Sequence, residues 1–197
     1  MAISNYSELK TAIASWLDRT DLTDIIPDFI ALAETRHKRD FKIRRMETRV
    51  TANTIDGSEF YTLPDDYVAM RNIKLNTDPK TPLEFLTPEI MDRLNAGSSK
   101  GTPKAYTIKG NNIELRPIPD SAYQIEVSYY KHFTALSDSN TTNDMLTHHP
   151  DVYLYGALVE AEPYLQNDKR IDTWASFYER AKRDIIASNE RDRHSGT

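Results

Sequence analysis

Two adjacent histidines and the acids around them are the residues whose types and spacing are most suited to chemistry. Asp144, His148, His149 and Asp151 are close in the sequence, and imidazole and carboxylate ligands of this kind bind divalent metal ions. Adjacent histidines before a helix that starts with Pro150 more often cap or pack. We therefore predict no metal site here.

Two pairs of acids are candidates for general acid and base catalysis, Asp65 with Asp66 and Glu160 with Glu162. The first pair follows a proline, in a turn where aspartate bonds the nearby backbone. The second pair lies on a predicted helix at positions that point apart. A glycine-rich phosphate loop and a nucleophile elbow are both missing from the sequence. We predict no catalytic residue, no cofactor and no enzymatic activity.

A basic strip is the third candidate site. Seven basic residues stand against two acids between positions 36 and 49: Arg36, Lys38, Arg39, Lys42, Arg44, Arg45 and Arg49. The strip could bind duplex phosphates, form the solvated end of a helix, or contact a neighbouring subunit. The chain as a whole carries a charge of -5 and repels polyanions. We weigh the last two together above the first and predict that the strip contacts an adjacent subunit or the portal protein of the resemblance given below, with a nucleic-acid-binding protein as the alternative of another class.

Composition bounds the class of protein. The chain has 197 residues and no cysteine, which excludes disulfide frameworks and thiolate sites and fits assembly in a reducing cytoplasm. Its N-terminus lacks a signal peptide, and no run approaches the roughly 18 apolar residues that span a bilayer. We expect a folded protein that neither enters nor crosses a membrane.

Helical periodicity appears at both ends of the chain. The first helix is predicted from a capping box of Asn5 with Glu8, and the second from about Pro27 to Phe41. Near the C-terminus, Pro150 opens an apolar, central helix, and Asp168 caps a last one. The residues predicted to form the core of this four-helix bundle are Leu9, Ile13, Trp16, Phe29, Ile30, Leu154, Leu158, Trp174, Tyr178 and Ile185.

Between these helices the apolar period changes to two. Strands are predicted at 60–63, 67–75, 105–108, 113–116 and 123–130, with a tight hairpin at Gly110 and one short helix after Thr87. On the last strand, Tyr123, Ile125, Val127 and Tyr129 share one face and Gln124, Glu126 and Ser128 the other, so one buried face is expected.

The predicted fold class is α+β, a helical bundle with a β-rich insertion and an extended C-terminal tail. We place the N-terminal helical hairpin at 1–45, the insertion at 46–136, the C-terminal helices at 137–187 and a polar tail at 188–197. The tail has no apolar residue to bury.

Several segments, in this order and spacing, resemble the head-to-tail adaptor proteins of tailed bacteriophages. The most specific are 136–143 (LSDSNTTN) and 149–158 (HPDVYLYGAL), and the others are 6–9, 26–30, 63–67, 101–106 and 116–120. Together they extend over nearly the whole chain, from Tyr6 to about Asn189.

The resemblance implies a structural virion protein, assembled in the host cytoplasm, that forms a ring, of twelve copies, on the portal protein. It also implies a platform for the tail nozzle or tail tube and a channel through which viral DNA passes without sequence-specific binding. The alternative within the structural class is another tail-collar component, such as a nozzle subunit. The expected portal-docking residues are Ile185, Ile186, Asn189, Arg191, Arg193 and His194.

Overall fold

The fold of the chain is mixed α+β, as its sequence predicts. The computed structural model describes residues 3–94, 97, 99–165 and 168–195. Within them the helices are α1 (Tyr6–Leu17), α2 (Ile26–Asp40), a 3-10 helix (Arg44–Met46), α3 (Pro88–Leu94), α4 (Asp144–His148), α5 (Pro150–Glu160), α6 (Glu162–Leu165) and α7 (Arg170–Ser195). None of the helices in these ranges is long and apolar enough to cross a membrane.

The chain divides into two compact units. The helical unit comprises Met1–Arg45 with Phe133–Thr197, and the β unit comprises Met46–His132. The β unit is thus inserted between the N-terminal and C-terminal helices of the other unit.

Local signals set the ends of α1. The side chain of Asn5 accepts a 2.9 Å hydrogen bond from the backbone N–H of Glu8. The Glu8 carboxylate in turn accepts from the backbone N–H and the hydroxyl of Ser4, so the capping box is displaced by one residue. Asp18 ends the helix in the left-handed conformation, with φ of 53°.

Helix α5 is the centre of the helical unit, since it packs against α1, α2 and α7. Gly156 allows the close approach of α2, because an added Cβ would lie 3.2 Å from Cβ of Ala33 and 3.3 Å from Nε2 of His37. All predicted core residues except Trp16 are buried. Trp16 is 42% exposed, because Leu17 takes the inward position at the end of α1.

The described residues of the β unit form two four-stranded sheets. Their strand orders are β1-β8-β3-β4 and β2-β7-β6-β5. The strands are β1 (Glu47–Asn53), β2 (Phe60–Thr62), β3 (Tyr67–Leu75), β4 (Thr81–Pro82), β5 (Glu84–Phe85), β6 (Ala105–Lys109), β7 (Asn112–Arg116) and β8 (Gln124–Lys131). Gly110, at a φ of 59°, forms the predicted hairpin between β6 and β7.

Both sheets contribute side chains to one core. Its members include Ile73 and Leu75 of β3, Leu115 of β7 and Val127 of β8. The prediction of one buried face for β8 is incomplete. Glu126, on the other face, is only 4% exposed, because Lys74, Arg49 and Lys80 surround its carboxylate.

The prediction of an extended tail from Ser188 is wrong for residues 188–195, which continue α7 to Ser195. Helix formers such as Glu190, Arg191 and Arg193 favour this extension even without apolar residues. The last two residues of the predicted tail, 196–197, lie outside the described residues.

Candidate interface surfaces

A cleft in the helical unit brings together segments from three of the sequence candidates. The cleft has a volume of about 230 Å³. The basic strip, the histidine pair and the last helix all contribute to its lining, which is Ile43, Arg44, Arg45, His148, His149, Ile185, Ser188, Asn189 and Asp192. Residues that are more than a hundred positions apart in sequence therefore share one surface.

The histidine side of the cleft is positioned by the junction of α4 and α5. Asn143 caps α4 by accepting from the backbone N–H of Leu146 at 2.8 Å. His149 then ends α4 and precedes Pro150, the first residue of α5. Burial lowers the pKa of His149, and the Asp151 carboxylate opposes that shift. A neutral imidazole at neutral pH follows.

Asp144 of the histidine cluster pairs with a histidine and with an arginine of the basic strip. The Asp144 carboxylate lies 3.3 Å from Nδ1 of His148 and 3.4 Å from a guanidinium nitrogen of Arg45. Groups of three or more potential metal ligands do not occur among residues 3–94, 97, 99–165 and 168–195. Asp144 instead joins α4 to the basic strip.

One member of each acid pair makes a hydrogen bond within its own unit. The Asp66 carboxylate accepts a 2.9 Å hydrogen bond from the hydroxyl of Tyr129. Burial, together with that carboxylate, raises the pKa of Tyr129 to about 12. Glu160 accepts a hydrogen bond of 2.8 Å from Nε of Arg36, linking α5 to α2.

The residues of the basic strip fall into three groups. Three arginines form ion pairs within their own unit: Arg36 with Glu160, Arg45 with Asp144 and Arg49 with Glu126. Arg44 contacts the last helix, where its backbone N–H donates to Oδ1 of Asn189 at 2.7 Å. Lys38, Arg39 and Lys42 are exposed. These last three side chains are open to an electrostatic partner on another molecule.

The proposed docking residues of α7 are not equivalent. Ile185 is 6% exposed and belongs to the core of the helical unit. The side chain of Asn189 accepts a hydrogen bond from the backbone of Arg44, so this part of the segment contacts its own subunit. Ile186 is half-buried, and Arg191 and Arg193 are exposed. The side chain of His194 lies outside the described residues.

A surface that the sequence analysis missed consists of three aromatic side chains from three helices. We call Trp16 of α1, Tyr155 of α5 and Phe177 of α7 the aromatic patch. The ring centroids of Trp16 and Tyr155 are 5.8 Å apart, and those of Tyr155 and Phe177 are 5.2 Å apart. Trp16 and Phe177 are 42% and 36% exposed. Helical spacing alone assigned Trp16 to the core, so the patch emerges only from the packing.

Comparison with protein-family models identifies one family, described as SU10 adaptor protein, whose model matches residues 4–197. Comparison with curated proteins finds no match.

Proposed function

Because the chain belongs to the SU10 adaptor protein family of bacteriophages, we propose that it forms a ring on the portal, supports tail attachment and encloses the channel through which viral DNA leaves the capsid. The family match over residues 4–197 is the observation that carries the proposal. A virion protein of this kind acts through its interfaces with itself, the portal and tail components.

Ring formation is supported by the exposed surfaces of the helical unit. A ring requires two different patches on each subunit, which meet head to tail around the circle. The aromatic patch and the exposed cations of α2 are two such surfaces. Exposed aromatic side chains are enriched in interfaces because they bury a large area at little conformational cost. The resemblance in sequence implies twelve copies.

Portal docking by the end of α7 is supported by its length and chemistry. The helix has 26 residues, or about 39 Å at 1.5 Å per residue. Its last buried apolar residue is Ile185, and exposed charges such as Glu190 and Arg191 follow. We propose that this charged end, with Ile186 at its base, contacts the portal.

Passive DNA passage agrees with the charge of the chain. Each copy carries -5, which disfavours retention of a polyanion in the channel. The alternative, a protein that binds duplex DNA, is less favoured, because Arg36, Arg45 and Arg49 already form ion pairs with carboxylates of the chain. Electrophoretic shift of duplex DNA by the isolated chain, weakening steeply with salt, would favour that alternative.

Electron microscopy of portal rings from the same phage, with and without the purified chain, tests the proposal. We expect an additional ring of density at the tail-facing end of each portal, onto which tail components then bind. Unchanged portal particles at saturating concentrations of the chain would contradict the proposed function.

A further inference from the structure

We propose that the aromatic patch of one copy receives the outer, basic face of α2 from a second copy, and that this contact is the lateral interface of the ring. The inference rests on the proposed function and goes beyond it by assigning the two surfaces that meet. We define the basic α2 face as the exposed residues Leu32, Lys38 and Arg39 of α2 together with Lys42, which follows the end of the helix.

The two surfaces lie on different sides of the helical unit. Gly156 and Tyr153 of α5 contact His37 of α2, and Glu160 of α5 binds Arg36. An α-helix turns 100° per residue, so Tyr155 points on average roughly 130° away from Tyr153, Gly156 and Glu160 of the same helix. It instead contacts Trp16 and Phe177. A subunit with complementary surfaces on separate sides can join head to tail, as a closed ring requires.

The aromatic patch has the composition of an unoccupied interface. Trp16 at 42% and Phe177 at 36% exposure leave aromatic area in water that burial would stabilise. A shallow depression adjoins the patch and is lined by Asp151, Tyr155, Phe177, Arg180, Ala181 and Asp184. This depression contains the carboxylates of Asp151 and Asp184 and one guanidinium, that of Arg180, so its charge is suited to a cationic partner.

The basic α2 face has the complementary composition. Leu32 is 50% exposed, and it precedes Lys38, Arg39 and Lys42, which are also exposed. An apolar side chain followed by three cations matches aromatic rings bordered by two carboxylates. Potentials of opposite sign steer association and set its register. The same carboxylates disfavour nucleic acid or an anionic lipid surface as the occupant of the patch.

Charge reversal tests this pairing, because opposite reversals should rescue each other. The first variant is Lys38→Glu/Lys42→Glu, and the second is Asp151→Lys/Asp184→Lys. Each variant alone presents like charges at every lateral contact, which should weaken ring formation on portal particles at least about tenfold. In an equimolar mixture, a ring in which the two variants alternate has opposite charges at every lateral contact, so ring formation should recover. Circular dichroism establishes that each variant is folded.

The matched control is Lys104→Glu/Lys131→Glu, which reverses two exposed lysines of the β unit and should leave ring formation unchanged. The absence of cysteine permits a second measurement. A mixture of Arg39→Cys and Asp184→Cys chains should form crosslinked dimers on the portal with a bismaleimide, whereas Arg39→Cys alone should not.

Normal rings from both reversed variants, or failure of the mixture to recover together with absent crosslinking, would overturn the assigned interface while leaving the proposed function intact. Failure of the wild-type chain itself to form rings on the portal would overturn the proposed function and this inference together.

Discussion

The backbone N–H of Arg44 donates a 2.7 Å hydrogen bond to Oδ1 of Asn189, joining the basic strip to the last helix. The two residues are 145 positions apart in the sequence. This contact holds the charged end of α7 against its own subunit beside the cleft. It therefore fixes the direction in which the proposed portal-docking end projects.

Truncation of residues 188–197 separates docking from folding. The shortened chain should retain its fold, with a small loss of stability because the Arg44 N–H returns to water. Portal binding should be lost, as measured by co-sedimentation with portal rings. The control is Asn189→Ala, which removes the same hydrogen bond at a cost of about 0.5–1.5 kcal/mol. That variant should still bind, and binding by the truncated chain would exclude this docking segment.

The two tryptophans should differ in their contribution to stability. Trp174 is 3% exposed and packs in the core of the helical unit, beneath the guanidinium of Arg170 at 5.1 Å from the ring centre. Trp174→Ala should lower the free energy of unfolding by about 3–5 kcal/mol. Trp16→Ala, at a 42% exposed position, should cost clearly less. Denaturant unfolding followed by circular dichroism measures both, and equal losses would contradict the packing described for α1 and α7.

Gly156→Ala should destabilise the chain although alanine favours helix. The helix propensity gain is about 1 kcal/mol. The new methyl would lie 3.3 Å from Nε2 of His37 and 3.4 Å from Cε2 of Tyr178, whose rings already stack on one another. We expect a net loss of about 1–3 kcal/mol, as for an overpacked core. Gly101→Ala, where the nearest atom lies at 3.7 Å, is the control; a Gly156→Ala protein more stable than wild type would refute the close packing of α2 on α5.

His37 should make stability depend on pH below neutrality. Burial lowers the pKa of His37 to about 4 from an ordinary 6.5, and the Val152 backbone and Asp40 oppose this only in part. The unfolded chain therefore takes up a proton first, so stability falls as pH drops from about 6.5 to about 4. The loss reaches roughly 3 kcal/mol at the lower limit.

His37→Phe should reduce this pH dependence while it keeps an aromatic ring among Phe41, Tyr153 and Tyr178. Burial raises the pKa of Glu34, which acts in the opposite direction on the pH dependence. The difference between the wild type and His37→Phe isolates the histidine. Parallel stability curves for the two proteins from pH 7 to pH 4 would show that His37 is not buried as a neutral ring.

Local sequence patterns were sufficient to predict those helices and strands that have strong sequence signals of their own. The predicted strand at 67–75 coincides with β3, and Asn5, Pro150 and Asp168 mark helix starts as expected. Strand β1 was missed because its residues look like the end of a basic helix. Its pairing depends on β8, where Glu47 meets Tyr130 across more than eighty residues of chain.

The candidate surfaces were harder to predict than the helices and strands, because they depend on tertiary packing. Charge density identified the basic strip but could not distinguish Arg36, which Glu160 binds, from Lys42, which is exposed. The extension of α7 to Ser195 was missed because periodicity reports apolar contacts alone. The polar contact of Asn189 with Arg44 has no counterpart in such a pattern.

The mass of a portal complex shows whether the chain forms a closed ring on the portal. Portal rings purified alone and after incubation with the chain are weighed by native mass spectrometry. We expect a discrete increase equal to twelve copies of the 22.6 kDa chain, without intermediate species at saturation. A portal mass that does not change, or the binding of scattered single copies without a closed number, would contradict it.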